Sequence, residues 1–181
     1  MFNLIFMRNL ITIITLLMFS CSAFGQGVNF EHLTFDEALA KAKAENKPIF
    51  MDCYTSWCGP CKYMAEKVFT QEKAGEFFNP KFVCVKFDME KGEGPELAKR
   101  FEIKAFPTFF ILRPDGSMQH KIVGGGELED FIARVEKGLN EKTSLDYLNK
   151  AYEKGKMNKK QLIAYQIVLN EAYEKSKSEE V

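Results

Sequence analysis

Two cysteines separated by two residues, in Trp57-Cys58-Gly59-Pro60-Cys61, carry the most reactive chemistry in this sequence. They follow an apolar run, Ile49 to Tyr54, at the point where the chain takes on helical character. At such a junction two thiols can close a small disulfide ring. The first sulfur would sit at a helix N-terminus, where free N–H groups and the helix dipole favour a thiolate. The second would lie one turn further in, sheltered, ready to attack a mixed disulfide formed by the first. Pro60 stiffens the turn and needs no N–H there, and Gly59 leaves one side of the sulfur open to another chain. The same spacing is also half of a zinc site. Zinc needs two further ligands, and the candidates are Cys53, Cys84, His32 and His120, none of which forms a second closely spaced pair.

The elements that must position these thiols alternate. Thr34-Phe35-Asp36-Glu37 is a capping box, in which a hydroxyl and a carboxylate satisfy free N–H groups at a helix start. That helix is expected to reach Asn46, with Pro48 ending it and Ile49 to Tyr54 forming a buried strand. A helix with room for a break should run from Cys58 towards Phe78, followed by a strand from Phe82 to Asp88. Gly94-Pro95 opens a short helix. Thr108 to Leu112 and Met118 to Val123 flank Pro114-Asp115-Gly116-Ser117, a hairpin turn signal. Gly124-Gly125-Gly126 reads as a flexible joint before a helix from Glu127 to Asn140. A βαβ unit followed by ββα gives an α/β fold, a mixed central sheet flanked by helices.

Residues 143–176 read as a helical hairpin. One helix carries Leu145, Leu148 and Tyr152, and the other Leu162, Tyr165, Val168, Leu169 and Tyr173. Such stripes are best buried by packing on the main domain or on a partner. Ser176 to Val181 reads as a frayed tail.

The first 25 residues stand apart. Arg8 is their one charge, an apolar run follows from Leu10 to Phe19, and small and polar residues close the segment. This is the layout of a secretory signal, with Ala23 and Gly25 placed for cleavage before Gln26. Cys21 raises the alternative of a lipid anchor, although bulky Phe19 precedes it where lipoprotein signals carry a small residue. An uncleaved membrane anchor is the third option, but the run is short for a hydrocarbon core of about 30 Å. The expected division is therefore a signal peptide over 1–25, a catalytic domain over 26–140 and a helical extension over 141–181. Four cysteines then remain outside the reducing cytosol.

Composition narrows the function. The 181 residues hold 25 basic and 25 acidic side chains, which leaves no electrostatic footprint for nucleic acid. With 12 Gly, 6 Pro and 13% aromatic residues, collagen-like, low-complexity and wholly disordered chains are excluded. Five cysteines are too few for a disulfide-dense miniprotein of this length.

From Phe35 to Gly138 the chain resembles the thioredoxin superfamily, on several separate positions. Besides the Trp-Cys-Gly-Pro-Cys motif, Asp52 matches the buried acid that relays a proton for the inner cysteine. Lys86 in the next strand matches the lysine beside that acid. Phe106-Pro107-Thr108 matches the segment whose proline is cis and faces the disulfide, and Gly124 matches the glycine bordering the substrate groove. The resemblance implies a thioredoxin fold with a redox disulfide Cys58–Cys61, in which Cys58, Cys61 and Asp52 are catalytic and Lys86 modulates the acid. Trp57, Gly59, Pro60, Phe106, Pro107 and Gly124 would contact substrate, the backbone of Phe106 pairing with an extended client strand. Glu66 stands where cytosolic thioredoxins have a helix-kinking proline. This departure and the polar insert Glu90 to Gly94 are more like exported relatives.

The expected activity is that of an exported thiol–disulfide oxidoreductase, periplasmic or otherwise extracytoplasmic, with reductase preferred over oxidase or isomerase. No cofactor or metal is called for, since the dithiol is itself the redox agent. Its partners would be substrate proteins with disulfides and a membrane or periplasmic thiol electron donor; no nucleic acid is expected, and the chain is expected to be a monomer. A thioredoxin-fold chaperone or binding module is the competing class. Strand alternation places Cys84 on the side of Asp52 and Lys86 and Cys53 on the other, so both read as buried hydrophobes rather than a disulfide. His32 and His120 read as surface or packing residues.

Overall fold

In the computed structural model, which describes residues 26–181, four strands form one sheet in the order β2-β1-β3-β4. The leader expected over 1–25, with Cys21, lies outside the described residues. Thr34 caps α1 (Phe35–Glu45) with the reciprocal bonds of a capping box, and Asn46 ends it in the left-handed region. β1 (Ile49–Tyr54) runs parallel to β2 (Val83–Asp88) and antiparallel to β3 (Thr108–Leu112). β4 (Met118–Val123) pairs antiparallel with β3 at the sheet edge.

The helix expected from Cys58 to Phe78 is broken. α2 (Gly59–Tyr63) passes into a π-helical turn, Met64–Val68, and α3 (Glu72–Phe78) follows after a short turn. The Phe69 N–H reaches back five residues to the Met64 carbonyl at 2.8 Å. The π-turn thus interrupts the α-helical bonding across Glu66, where no proline is present.

Strand alternation sorts the core into two layers. Phe50, Cys84, Phe109, Ile111 and Ile122 face the π-turn, α3 and α5 (Leu128–Leu139). Ile49, Met51, Cys53, Val85 and Phe110 face α1 and α4 (Gly94–Arg100). Phe50 lies at the centre of the first layer, its ring stacked at 5.7 Å on Phe109 and 4.6 Å from Phe78. Full burial of such a ring stabilises by roughly 2–3 kcal/mol.

The extension packs on this domain through a third cluster, in which α6 (Leu145–Glu153) contributes Leu145 and Leu148, and α7 (Lys159–Glu171) Tyr165, Val168 and Leu169. Its helices lie along β4 and cover the edge of the sheet. Two expectations need correction. The segment from Ser176 is not a frayed tail: α8 (Lys175–Glu180) forms there, with the Gln166 amide donating to the Ser178 carbonyl and Val181 packed into the third cluster. The glycine run is not an open joint either, because the Arg134 guanidinium donates to the carbonyls of Val123, Gly124 and Gly125. Among the described residues no helix is long and apolar enough to cross a membrane.

Candidate active site

Cys58 and Cys61 are joined by a disulfide, with their Cα atoms 5.3 Å apart. Cys58 is the N-cap of α2, its Sγ accepting the Cys61 N–H at 3.1 Å, and Pro60 occupies the first turn. A donor already aimed at that sulfur favours the thiolate once the disulfide opens. Both cysteines are about 95% buried, with 4% and 5% of their surface exposed, while Gly59 and Pro60 are open to solvent. Trp57 projects beside them, 65% exposed, its indole N–H donating to Glu90 at 2.9 Å.

Across the sheet the Phe106–Pro107 peptide bond is cis. The Thr108 hydroxyl donates to the Ala105 carbonyl at 2.7 Å, and the Gly124 N–H donates to the Pro107 carbonyl at 2.9 Å, with Gly124 at φ 78°. These bonds hold the loop at the start of β3 against the end of β4. The Phe106 ring meets the Trp57 indole edge-on at 6.1 Å. The disulfide and the cis-proline segment therefore converge on one rim of the sheet, joined by an aromatic pair.

Asp52 lies on β1 with Lys86 opposite in β2 and Phe109 opposite in β3. It is 5% exposed, and its Oδ1 has no hydrogen-bond partner among the described residues. Burial pushes its pKa up to about 7, with Lys86 opposing through space. A carboxyl poised there can hold or release a proton near neutral pH, which is what a general base for a thiol requires. Lys86 is exposed, its Nζ 5.6 Å from the centre of the Phe30 ring.

The other sulfur and imidazole groups stand elsewhere. Cys84 shares the Asp52 face and Cys53 the opposite one, both buried and unbonded. Burial raises both thiols, Cys84 to about 12, so neither is a nucleophile at neutral pH. His32 is exposed, whereas His120 is fully buried at the seam with the extension.

Sequence reasoning passed over two parts of the site. Glu90, the partner of Trp57, was visible only as one residue of a polar insert. The segment Gln26–Phe30 borders a cavity of about 410 Å³ that it shares with Asp52, Ala65, Phe69, Thr70 and Lys86. It carries no apolar periodicity that would place it there.

The family model described as Thioredoxin matches residues 27–137. The chloroplastic thioredoxin Y of Oryza sativa subsp. japonica is 35% identical over 106 residues, 59% of this chain and 58% of its own length. The chain thus spans less than two thirds of that curated relative. A solution structure of a candidate disulphide-isomerase from Bacteroides thetaiotaomicron is 39% identical, covering 64% of this chain and 96% of its own, with a TM-score of 0.59. A thioredoxin from Thermus thermophilus, 21% identical with a TM-score of 0.56, covers 64% of this chain and 89% of its own, and shares the fold.

Proposed function

Because the chain belongs to the thioredoxin family, we propose that it is an exported thiol–disulfide oxidoreductase that reduces disulfides in client proteins. One observation carries this reading. The Cys58–Cys61 disulfide lies at the rim shared with the cis Phe106–Pro107 bond, on a sheet that also buries a carboxyl with a pKa of about 7.

In the reduced protein the Cys58 thiolate attacks one sulfur of a client disulfide, forming an intermolecular bond and releasing the client's other thiolate. Asp52 takes the proton from Cys61. The Cys61 thiolate then attacks Cys58 Sγ, the client leaves with both sulfurs reduced, and the Cys58–Cys61 disulfide forms. The open rim at Gly59 and Pro60 admits the client, the Phe106 backbone offers it a strand partner, and Trp57 gives an apolar contact. A membrane or periplasmic thiol donor returns two electrons to the pair. The leader expected over 1–25 supports export, and the balanced charge supports selection of protein clients by groove shape rather than of nucleic acid by charge.

The test is insulin reduction driven by dithiothreitol, comparing the wild type with Cys58→Ser. The wild type should accelerate precipitation of the insulin B chain, and Cys58→Ser should fall to the rate of dithiothreitol alone. Equal rates would remove the catalytic reading in favour of a binding module. Cys61→Ser should instead accumulate a mixed disulfide through Cys58. The likeness to a candidate disulphide-isomerase supports isomerase activity as a second reading. A reduction potential of roughly −270 mV favours the reductase, roughly −180 mV the isomerase and roughly −120 mV an oxidase.

A further inference from the structure

The cavity beside Asp52 is walled on one side by Gln26–Phe30, a strap tied down at several points. The Val28 N–H donates to the Phe69 carbonyl at 2.7 Å, and the Glu31 N–H to the Cys84 carbonyl at 2.8 Å. Asn79 grips the strap twice: its Oδ1 accepts the Asn29 N–H at 2.8 Å and its Nδ2 donates to the Gly27 carbonyl at 3.2 Å. Phe30 anchors the inner end, its ring 5.2 Å from Phe69 and 6.3 Å from Phe50.

Two glycines make this approach feasible. A Cβ on Gly75 would lie 2.0 Å from the Gln26 carbonyl oxygen, and one on Gly27 would lie 2.1 Å from the Phe69 carbonyl oxygen. Both obstacles are backbone, so any side chain at either position must push the strap away from the helix.

We propose that this strap is a positioning element for the dithiol reaction: by covering one side of the cavity it limits the water that reaches Asp52, and so sets the pH range over which that carboxyl can take the Cys61 proton. The proposal rests on the reading of Asp52 as the proton acceptor. Gln26, Gly27, Val28, Asn29 and Phe30 carry no titratable side chain. Its side chains therefore act by excluding solvent, and the α-amino group that cleavage before Gln26 would leave is the one charge the strap can carry. The titratable groups that act on Asp52 are Lys86 on β2 and Cys53 and Tyr54 on β1; β3 presents apolar Phe109. Glu66 and Lys67, beside Ala65 on the π-turn, point to solvent. None of these groups belongs to the strap, and Asn79→Ala, which frees Gly27 and Asn29 and makes no contact with Gln26, loosens it with these charges in place.

The experiment uses Gly75→Ala, which displaces the strap, and Asn79→Ala, which removes its two side-chain bonds and serves where the first variant does not fold. Amide exchange at Val28 and Glu31 reports whether the strap has loosened. The Asp52 carboxyl is titrated by ¹³C NMR in the oxidised protein, where Cys58 and Cys61 do not titrate. The expected result is a midpoint lowered by about one pH unit in Gly75→Ala and by less in Asn79→Ala, towards the ordinary carboxylate value. The acid limb of the insulin-reduction profile should move with it. Faster exchange at Val28 with an unmoved Asp52 midpoint would overturn the proposal. An Asp52 midpoint that moves while the activity profile stays fixed, and matches that of Asp52→Asn, would instead overturn the role of Asp52 as proton acceptor.

Discussion

Asp52 and His120 lie on the same face of the sheet, two rungs and two strands apart. Asp52, Phe109 and Ile122 form one row across β1, β3 and β4, and Phe50, Ile111 and His120 form the next on that face. Both polar side chains are buried, and each has an atom without a hydrogen-bond partner among the described residues, Oδ1 of Asp52 and Nε2 of His120. Their surroundings use that burial differently. Asp52 borders a cavity, where a proton can come and go. His120 is packed solid: a Cβ on Gly138 would lie 2.5 Å from its ring, and its Nδ1 accepts the Leu145 N–H at 3.0 Å, pinning the first turn of α6. Burial, reinforced by Arg134 and Lys137, pushes its pKa down to about 4, so the ring stays neutral. One buried polar residue is placed for chemistry, and the other fastens the extension to the domain.

The opposite shifts give opposite pH dependences. Asp52 rises from 3.8 to about 7, so across that window the folded protein keeps a proton that the unfolded chain has lost, and stability falls as pH rises. His120 falls from 6.5 to about 4, so across its window the unfolded chain binds a proton that the folded protein lacks, and stability falls as pH drops. Between about pH 4 and 6.5 the two contributions cancel. Asp52→Asn breaks the cancellation and should give the largest effect of all. Urea unfolding should then show stability rising by about 1.4 kcal/mol per pH unit across this range. At pH 8 the variant should exceed the wild type by about 4 kcal/mol, because the desolvated carboxylate is gone. Insulin reduction at pH 7 should drop by about 100-fold, the lower end of what a positioned base contributes. A variant as active as the wild type would place Asp52 with His120 as a structural group.

His120→Ala should leave activity within about two-fold while lowering stability by about 3 kcal/mol, through a cavity and an unpaired Leu145 N–H. His120→Asn offers an amide oxygen to that N–H and should recover part of the loss. It also leaves Asp52 titrating alone, so stability should now fall with rising pH up to about 7. A wild-type profile that falls with pH just as that of His120→Asn does would show that the histidine is not held neutral.

How much of this could be read beforehand depended on where each signal lies. β1 falls on the apolar run that marked it, β3 and β4 flank the Pro114–Ser117 turn signal, and the Thr34 capping box begins α1, because those patterns are local. Cys58 and Cys61 announced their chemistry by spacing, whereas Asp52, Pro107 and Gly124 gained roles only through family resemblance. The strap was not legible: its bonds to Asn79 span 50 and 52 residues, and its one trace is the pair of glycines that permits close approach. α8, Lys-Ser-Lys-Ser-Glu-Glu, has no apolar stripe and is held by contacts from the α7 side chain Gln166 and from Tyr152.

The smallest effect belongs to the rim of the seam that His120 centres. Asp146 on α6 accepts from Arg113 at 2.9 Å and from Lys150 at 2.8 Å, and Lys137–Glu171 and Lys121–Glu174 add ion pairs from the domain to the extension. Burial of Asp146 opposes its charge, but the bonds from Lys150 and Arg113 outweigh this and hold its pKa below the usual value. The pairing is therefore present above the ordinary carboxylate range and lost on acidification. Because the Asp146 carboxylate is 20% exposed, Asp146→Asn should cost about 0.5–1 kcal/mol in urea unfolding at pH 7 and less at high salt. The His120→Ala loss should not respond to salt. If Asp146→Asn instead costs as much as His120→Ala, the extension is held by its charged rim, and the buried imidazole is not the fastening that its geometry indicates.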